Sequence, residues 1–342
     1  MSSPRSHSIA FPTMGTVATV SWSGSDASTF SADDLSVELQ TRAGELESLM
    51  SRFIPDSEVS LLGPRWTEVS VDTATVLRAA ADYTQITRGY FNPLLAHQMR
   101  HWEAVVHEPG TGSSSPFAPT AGASIEQDGP LFRLRDADPG SIDLGAIAKG
   151  YATDELRSLL VQMGFTDVLV SLGGSSIAIA GASTKVGITS PWHGWERIGS
   201  LTLDSGSMSI SADPDTKIQS QARALSRAPN QQPSSATPDI DGVRLDEYSR
   251  PARQRSHVLN PHTREPAMTD LCEVIVCGEN GMACEAFSTA YLAMGLDQAM
   301  ILDVEHPEIA TMFFTVDGRM LADPRLKITT VPGLADWLKT QY

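Results

Sequence analysis

Ile142-Asp143-Leu144-Gly145-Ala146-Ile147-Ala148-Lys149-Gly150-Tyr151 is the stretch on which the reading of this chain turns. It sets one acid, one base and two glycines where an extended segment is expected to run into a helix. At such a junction backbone N–H groups are free to meet an anion, so the geometry suits phosphate. The helix is predicted over Ala146 to Met163, with Gly164 as a left-handed cap. Upstream, Leu131 to Leu134 reads as strand. Downstream, Asp167 to Ile179 is a nearly continuous apolar run, expected to be one buried strand bent at Gly173-Gly174, where a backbone or a ligand comes close.

Further out, Thr16 to Trp22 alternates as a short strand, and Ser31 to Phe53 reads as an amphipathic helix. Ser31 is its predicted cap, Asp33 and Asp34 favour the dipole, and Leu35, Leu39, Leu46 and Met50 form the apolar stripe. A second helix is predicted over Thr73 to Thr87, before Gly89 and the loop Tyr90-Phe91-Asn92-Pro93. Lys185 to Ile188 and Ser200 to Ser211 are read as short strands. Leu271 to Val276 is read as strand leading into a helix from Met282 to Met294, closed by Gly295. Strands mixed with unequally spaced helices favour an α+β fold over a regular doubly wound sheet.

At 342 residues and 41% hydrophobic, the chain can bury a sizeable core, either as roughly two units or as one large mixed domain. The net charge of -16 argues against general affinity for nucleic acid or an anionic membrane, both of which need clustered Lys and Arg. A bound polyphosphate therefore needs local help. Met1 to Phe11 lacks the apolar core of a secretory signal, and no apolar run approaches the roughly 20 residues of a membrane helix. A soluble, cytoplasmic protein is expected. Cys272, Cys277 and Cys284 are odd in number and lack C-x-x-C spacing, so neither a disulfide framework nor a zinc site is expected. Residues 212–255, rich in Arg, Asp, Ser and Pro, read as a flexible insertion, and 110–122 as a flexible loop.

Three features have two readings each. Glu285 and Thr289, four apart, share a helical face and can point at one site, or they are a solvent-facing Glu and a Thr bonding its own i-4 carbonyl. His97 and His101 share a face in the same way, as metal ligands or as structural histidines. Tyr90 and Phe91 are core residues or ligand contacts.

The succession of motifs resembles the ApbE family, the FAD:protein FMN transferases. The matching pieces are Pro12-Thr13-Met14-Gly15-Thr16, Ser51-Arg52-Phe53-Ile54-Pro55-Asp56-Ser57-Glu58, Gly89-Tyr90-Phe91-Asn92-Pro93, Asp143 to Tyr151, Val170-Ser171-Leu172-Gly173-Gly174, Ser256-His257-Val258-Leu259-Asn260-Pro261, and Ala283 to Gly295. They follow the family's order and span nearly the whole chain. The resemblance implies a single ApbE-like α+β domain over residues 1–342, carrying the 212–255 insertion. It implies a magnesium-dependent enzyme that moves FMN from FAD onto a Ser or Thr hydroxyl of an acceptor flavoprotein and releases AMP. Related readings on the same site are an FAD pyrophosphatase and a non-catalytic FAD-binding protein.

Carried over residue by residue, the resemblance implies that Met14, Phe53, Tyr90, Phe91, Asn92, Asp143, Lys149 and Val258 contact FAD. It implies that Ala146, through its carbonyl, with Glu285 and Thr289, holds magnesium, and that His257 and Lys149 are catalytic. Such an oxygen-only donor set suits magnesium. The chain departs from the family pattern at Glu285, which stands where the family usually has Asp and extends the carboxylate by about 1.5 Å. Asn92 and Asn260 replace family aspartates, and Pro261-His262-Thr263-Arg264 lacks the glycine expected after the threonine.

Overall fold

The computed structural model describes residues 7–23, 31–107, 122–192, 197–212 and 258–330. The predicted insertion at 212–255, the predicted loop at 110–122 and His257 fall almost wholly or wholly outside the described residues.

The chain opens with a hairpin, β1 (His7–Thr13) and β2 (Thr16–Ser23), joined by Met14 and Gly15 at φ 49° and 68°. Two central residues with positive φ give the mirror-image turn whose twist matches that of paired strands. Helix α1 (Ala32–Met50) begins at Ser31, whose hydroxyl accepts the Asp34 N–H, and its predicted stripe of Leu35, Leu39, Leu46 and Met50 is buried. Each such side chain contributes about 1.5–3 kcal/mol by leaving water. A short α2 (Glu58–Leu61) and β3 (Thr67–Glu68) precede α3 (Val71–Ile86), which is capped by Ser70. Then come α4 (Ala96–His107), β4 (Ser124–Asp128), β5 (Leu131–Arg135) and α5 (Ala148–Gln162).

Asp167 to Ile179 is not one bent strand. It is a hairpin of β6 (Asp167–Leu172) and β7 (Ser176–Ala180), paired antiparallel with Leu172 opposite Ser176. The run is nearly continuously apolar because these strands are covered on both faces: Val168, Val170 and Leu172 join one core, and Leu169, Ile177 and Ile179 the other. Ser200 to Ser211 likewise divides, between β9 (Arg197–Leu203) and β10 (Gly206–Ala212), with β8 (Thr184–Thr189) before them. The remainder comprises β11 (Leu259–Asn260), β12 (Glu265–Pro266), β13 (Leu271–Gly278), α6 (Gly281–Met294), α7 (Leu296–Val304), β14 (Ala310–Thr315), β15 (Met320–Ala322) and β16 (Lys327–Thr330).

Eight strands form the central sheet in the order β1-β2-β6-β7-β10-β13-β14-β15, every neighbouring pair antiparallel. Helices α1, α3, α5 and α6 share the larger core on one face. The three-stranded sheet β16-β9-β8 covers the other around Ile177, Leu201, Ile275 and Phe314. The architecture is α+β, as the mixed pattern of elements predicted. An ionic cluster ties three helices together: Arg42 of α1 donates to both oxygens of Asp72 on α3, at 2.8 and 2.7 Å, and to Glu155 on α5 at 2.6 Å.

Helices α5 and α6 meet at their N-terminal ends through two glycines. A Cβ on Gly150 would stand 2.2 Å from the Gly281 carbonyl oxygen, and one on Gly281 2.4 Å from that of Gly150. Only side chains of hydrogen permit this approach. Asp154 of α5 reinforces it by accepting the Gly281 N–H at 2.7 Å. The crossing brings Lys149 and Glu285 to one place.

Candidate active site

Lys149 begins the second residue of α5 and Glu285 lies one turn into α6; their Nζ and Oε1 are 3.5 Å apart. Both line a cavity of about 320 Å³ whose wall also carries Phe53, Tyr90, Phe91, Asn92, Asp143, Ala146, Val258 and Thr289. A neighbouring cavity of about 380 Å³ shares Arg52, Phe53, Asp143, Gly145 and Lys149 and adds Met14. The two form one long cleft. Every residue predicted for the site therefore lies on it, except His257, which falls outside the described residues.

The Asp143 to Gly150 segment is organised by its own side chains. Asp143 Oδ1 accepts the Gly145 N–H at 2.8 Å, tightening the turn into the helix, and Lys149 donates to the Gly145 carbonyl at 2.6 Å. Ile147 supplies no side-chain cap to α5, which leaves the positive end of the helix available to an anion. This end and Lys149 give a chain of net charge -16 the local attraction that a polyphosphate requires.

Asp143 is held from the other side by Arg52, whose Nε is 2.8 Å from Oδ2. The Arg52 side chain is only 8% exposed and also pairs with Glu103. Its guanidinium carbon lies 4.1 Å from the centroid of the Phe53 ring, an attractive cation–π arrangement. Phe53 itself is 74% exposed, an apolar surface on the rim of the cleft. Sequence reasoning passed over Arg52, although it sits inside the quoted Ser51-Arg52-Phe53 motif.

On the opposite wall the Tyr90 hydroxyl donates to Gln298 at 2.9 Å, and its ring meets His262 edge-on at 4.5 Å. Phe91 belongs to the main core and reaches the wall from within. The two asparagines that depart from the family pattern serve turns. Asn92 Oδ1 accepts the Leu94 N–H, and Asn260 Oδ1 accepts that of His262, while its amide donates to the Ala293 carbonyl at 3.3 Å. An ionised aspartate could not make that last bond. Burial, with the adjacent Arg100 charge, lowers the pKa of His97, and His101 stacks edge-on with Trp102; neither lines the cleft.

The floor is rich in oxygen. Thr289 and Ser288 contact Ser211 at 3.2 and 2.9 Å, and Ser288 donates to Ser209 at 3.2 Å. Glu285, 3% exposed, accepts a hydrogen bond from Ser176 on Oε1. Its Oε2 is buried without a hydrogen-bond partner among the described residues. Among those residues no three His, Cys, Asp or Glu side chains gather as a metal cluster. The predicted donors, the Glu285 carboxylate, the Thr289 hydroxyl and the Ala146 carbonyl, all line this cleft and are a hard oxygen set that fits magnesium and leaves positions for phosphate or water. The bare Oε2 is the observation that makes this set fit.

An antiparallel α+β core with an oxygen-floored, aromatic-rimmed cleft at the crossing of two helix N-termini defines a protein built to hold an anionic, ring-bearing ligand. The family model for the ApbE family matches residues 14–226 and 244–313, and the chain belongs to that family. It is similar to the FAD:protein FMN transferase of Treponema pallidum, 25% identical over 83% of this chain and 78% of the relative. The FAD:protein FMN transferase of Haemophilus influenzae is 20% identical over 86% and 82%. Among solved structures it resembles the flavin transferase ApbE from Vibrio cholerae, with TM-score 0.69 and 18% identity over 96% of this chain and 98% of that one. The ApbE protein of Thermotoga maritima gives TM-score 0.67 and 19% identity over 94% and 97%. These likenesses show the same fold.

Proposed function

We propose that this chain, acting as one domain, is a flavin transferase that moves FMN from FAD to a Ser or Thr hydroxyl of an acceptor flavoprotein. The acceptor oxygen attacks the FMN-side phosphorus, the bridging P–O bond breaks, and AMP leaves with the bridging oxygen. The observation that carries this reading is the convergence of two segments far apart in sequence, Asp143 with Lys149 and Glu285 with Thr289, on one cleft rimmed by Phe53 and Tyr90.

In this reading Phe53 and Tyr90 cover the isoalloxazine by stacking, with Met14 at the far end of the cleft. Lys149 and the start of α5 attract the pyrophosphate and stabilise charge building on it, the larger part of phosphoryl-transfer catalysis. His257 takes the proton of the incoming hydroxyl, since an imidazole of ordinary pKa about 6.5 is a competent base at neutral pH. Ala146, Glu285 and Thr289 would hold magnesium, which when bound neutralises pyrophosphate charge. A cytoplasmic setting belongs to the same reading and is supported by three buried free thiols. No helix among the described residues is long and apolar enough to cross a membrane.

Incubating the protein with FAD, magnesium and a candidate acceptor tests the proposal. Fluorescent flavin fixed to the acceptor in a denaturing gel supports transfer. Free FMN and AMP without labelled acceptor indicate a pyrophosphatase, and intact FAD indicates a binding protein.

A further inference from the structure

We propose that Ser176 is a positioning residue for Glu285, fixing the carboxylate so that one oxygen is anchored and the other is presented to a divalent cation. The inference rests on the magnesium part of the function proposed above and deepens it. Glu285 carries one more methylene, and one more rotatable bond, than the aspartate usual in the family. A longer carboxylate set in the same wall needs a restraint if it is to meet an ion that tolerates little deviation from octahedral geometry.

The structure supplies that restraint. Ser176 is the first residue of β7, 1% exposed, and paired on both sides, with Leu172 of β6 and Ser209 of β10. Its backbone is therefore held by two neighbours in the interior of the central sheet, and its hydroxyl donates to Glu285 Oε1 across 109 residues of sequence. Lys149 Nζ, at 3.5 Å, approaches the same oxygen. Both neighbours of the carboxylate thus act on Oε1, and Oε2 is left buried and without a partner among the described residues. Leaving a buried acceptor bare costs about 1–3 kcal/mol. A donor on Oε2 would remove that cost, yet the groups present gather on the other oxygen. Oε2 is thus the oxygen left for a further ligand, and Thr289, which lines the same cleft as Glu285, stands one helical turn further along α6.

A purely structural serine would only satisfy its own buried hydroxyl, and its loss would alter stability but not metal affinity. Titration calorimetry with magnesium chloride on the full-length protein separates the two roles. Outer-shell partners of metal ligands typically govern affinity by about 10–100-fold, so Ser176→Ala is expected to weaken magnesium binding at least about tenfold, with Ser176→Thr restoring it. In a Glu285→Asp background the shorter side chain no longer reaches Ser176, and Ser176→Ala is expected to change affinity little. Circular dichroism melts establish that the variants fold; should Ser176→Ala fail to, Ser176→Cys, which fills the space with a weaker donor, carries the same comparison. Unchanged affinity in Ser176→Ala, or an equal loss in the Glu285→Asp background, overturns the proposal while leaving the magnesium reading intact. Wild-type protein that takes up no magnesium overturns both.

Discussion

Gly150 and Gly281 cross so closely that a methyl group on the first would lie 2.2 Å from the carbonyl oxygen of the second. Gly150→Ala gains helix propensity, worth about 1 kcal/mol, but drives carbon into backbone. Overpacking dominates, and a net loss of about 2–3 kcal/mol is expected. Because the crossing sets Lys149 against Glu285, flavin transfer should fall more steeply than stability. A chemical denaturation curve and a transfer assay on the same sample check both.

Arg52 occupies a buried position between Asp143 and Glu103. Arg52→Ala leaves Asp143 without its cation and should destabilise the protein chiefly through that pair, because Glu103 is half exposed and its own pairing counts for little. Arg52→Lys keeps the charge but loses the fork that reaches both partners, and should fall between. FAD affinity, followed by flavin fluorescence, is expected to decline in the same order, since Asp143 shapes the turn that presents Gly145 and Lys149.

Lys149→Met removes the positive charge nearest Glu285 while keeping the length of the side chain. Turnover should drop about 100-fold or more, as for loss of one preorganised transition-state donor, and the thermal midpoint should fall as well, because the buried Glu285 carboxylate loses its cation. Thr289→Ala should lower the apparent affinity for magnesium in the same assay; unchanged magnesium dependence would remove α6 from the mechanism.

Acid sensitivity is concentrated in part at Asp72. The Arg42 guanidinium hydrogen-bonded to it holds its carboxyl below the usual carboxylate value, burial acts in the opposite direction, and the Tyr151 hydroxyl adds to the lowering. Folded protein therefore releases this proton more readily than unfolded chain. The stabilisation is complete above the unfolded value of about 3.9 and disappears as pH falls through the lower folded value. Asp72→Asn should be less stable than wild type at pH 7, and the difference should close as pH falls below about 4. Thermal melts across pH 2–7 for the pair provide the measurement.

Helix α1 was readable from local chemistry alone, because Ser31 and the Leu35-Leu39-Leu46 stripe are signals that neighbours in sequence complete. The β6–β7 hairpin was not. With both faces buried there is no polar alternation to reveal a register, and Gly173-Gly174 looks the same as a bend or as a turn. The residues of the cleft were nameable from spacing and resemblance, but their meeting depends on strand order and on the Gly150–Gly281 approach, both properties of the folded chain. Ser176 carried no signal at all: a serine after Gly-Gly-Ser reads as turn chemistry, and only the sheet brings it to Glu285.

The sequence position of α6 has a bearing on biogenesis. Glu285 and Thr289 are translated after all of the central sheet except β14 and β15. A nascent chain still lacking them has the Asp143–Lys149 turn and the Phe53 and Tyr90 rim but not the Glu285 and Thr289 oxygens of the floor. The complete grip on a flavin dinucleotide therefore forms only once α6 is made, and binding energy gained there stabilises the native state over partly made or unfolded chains.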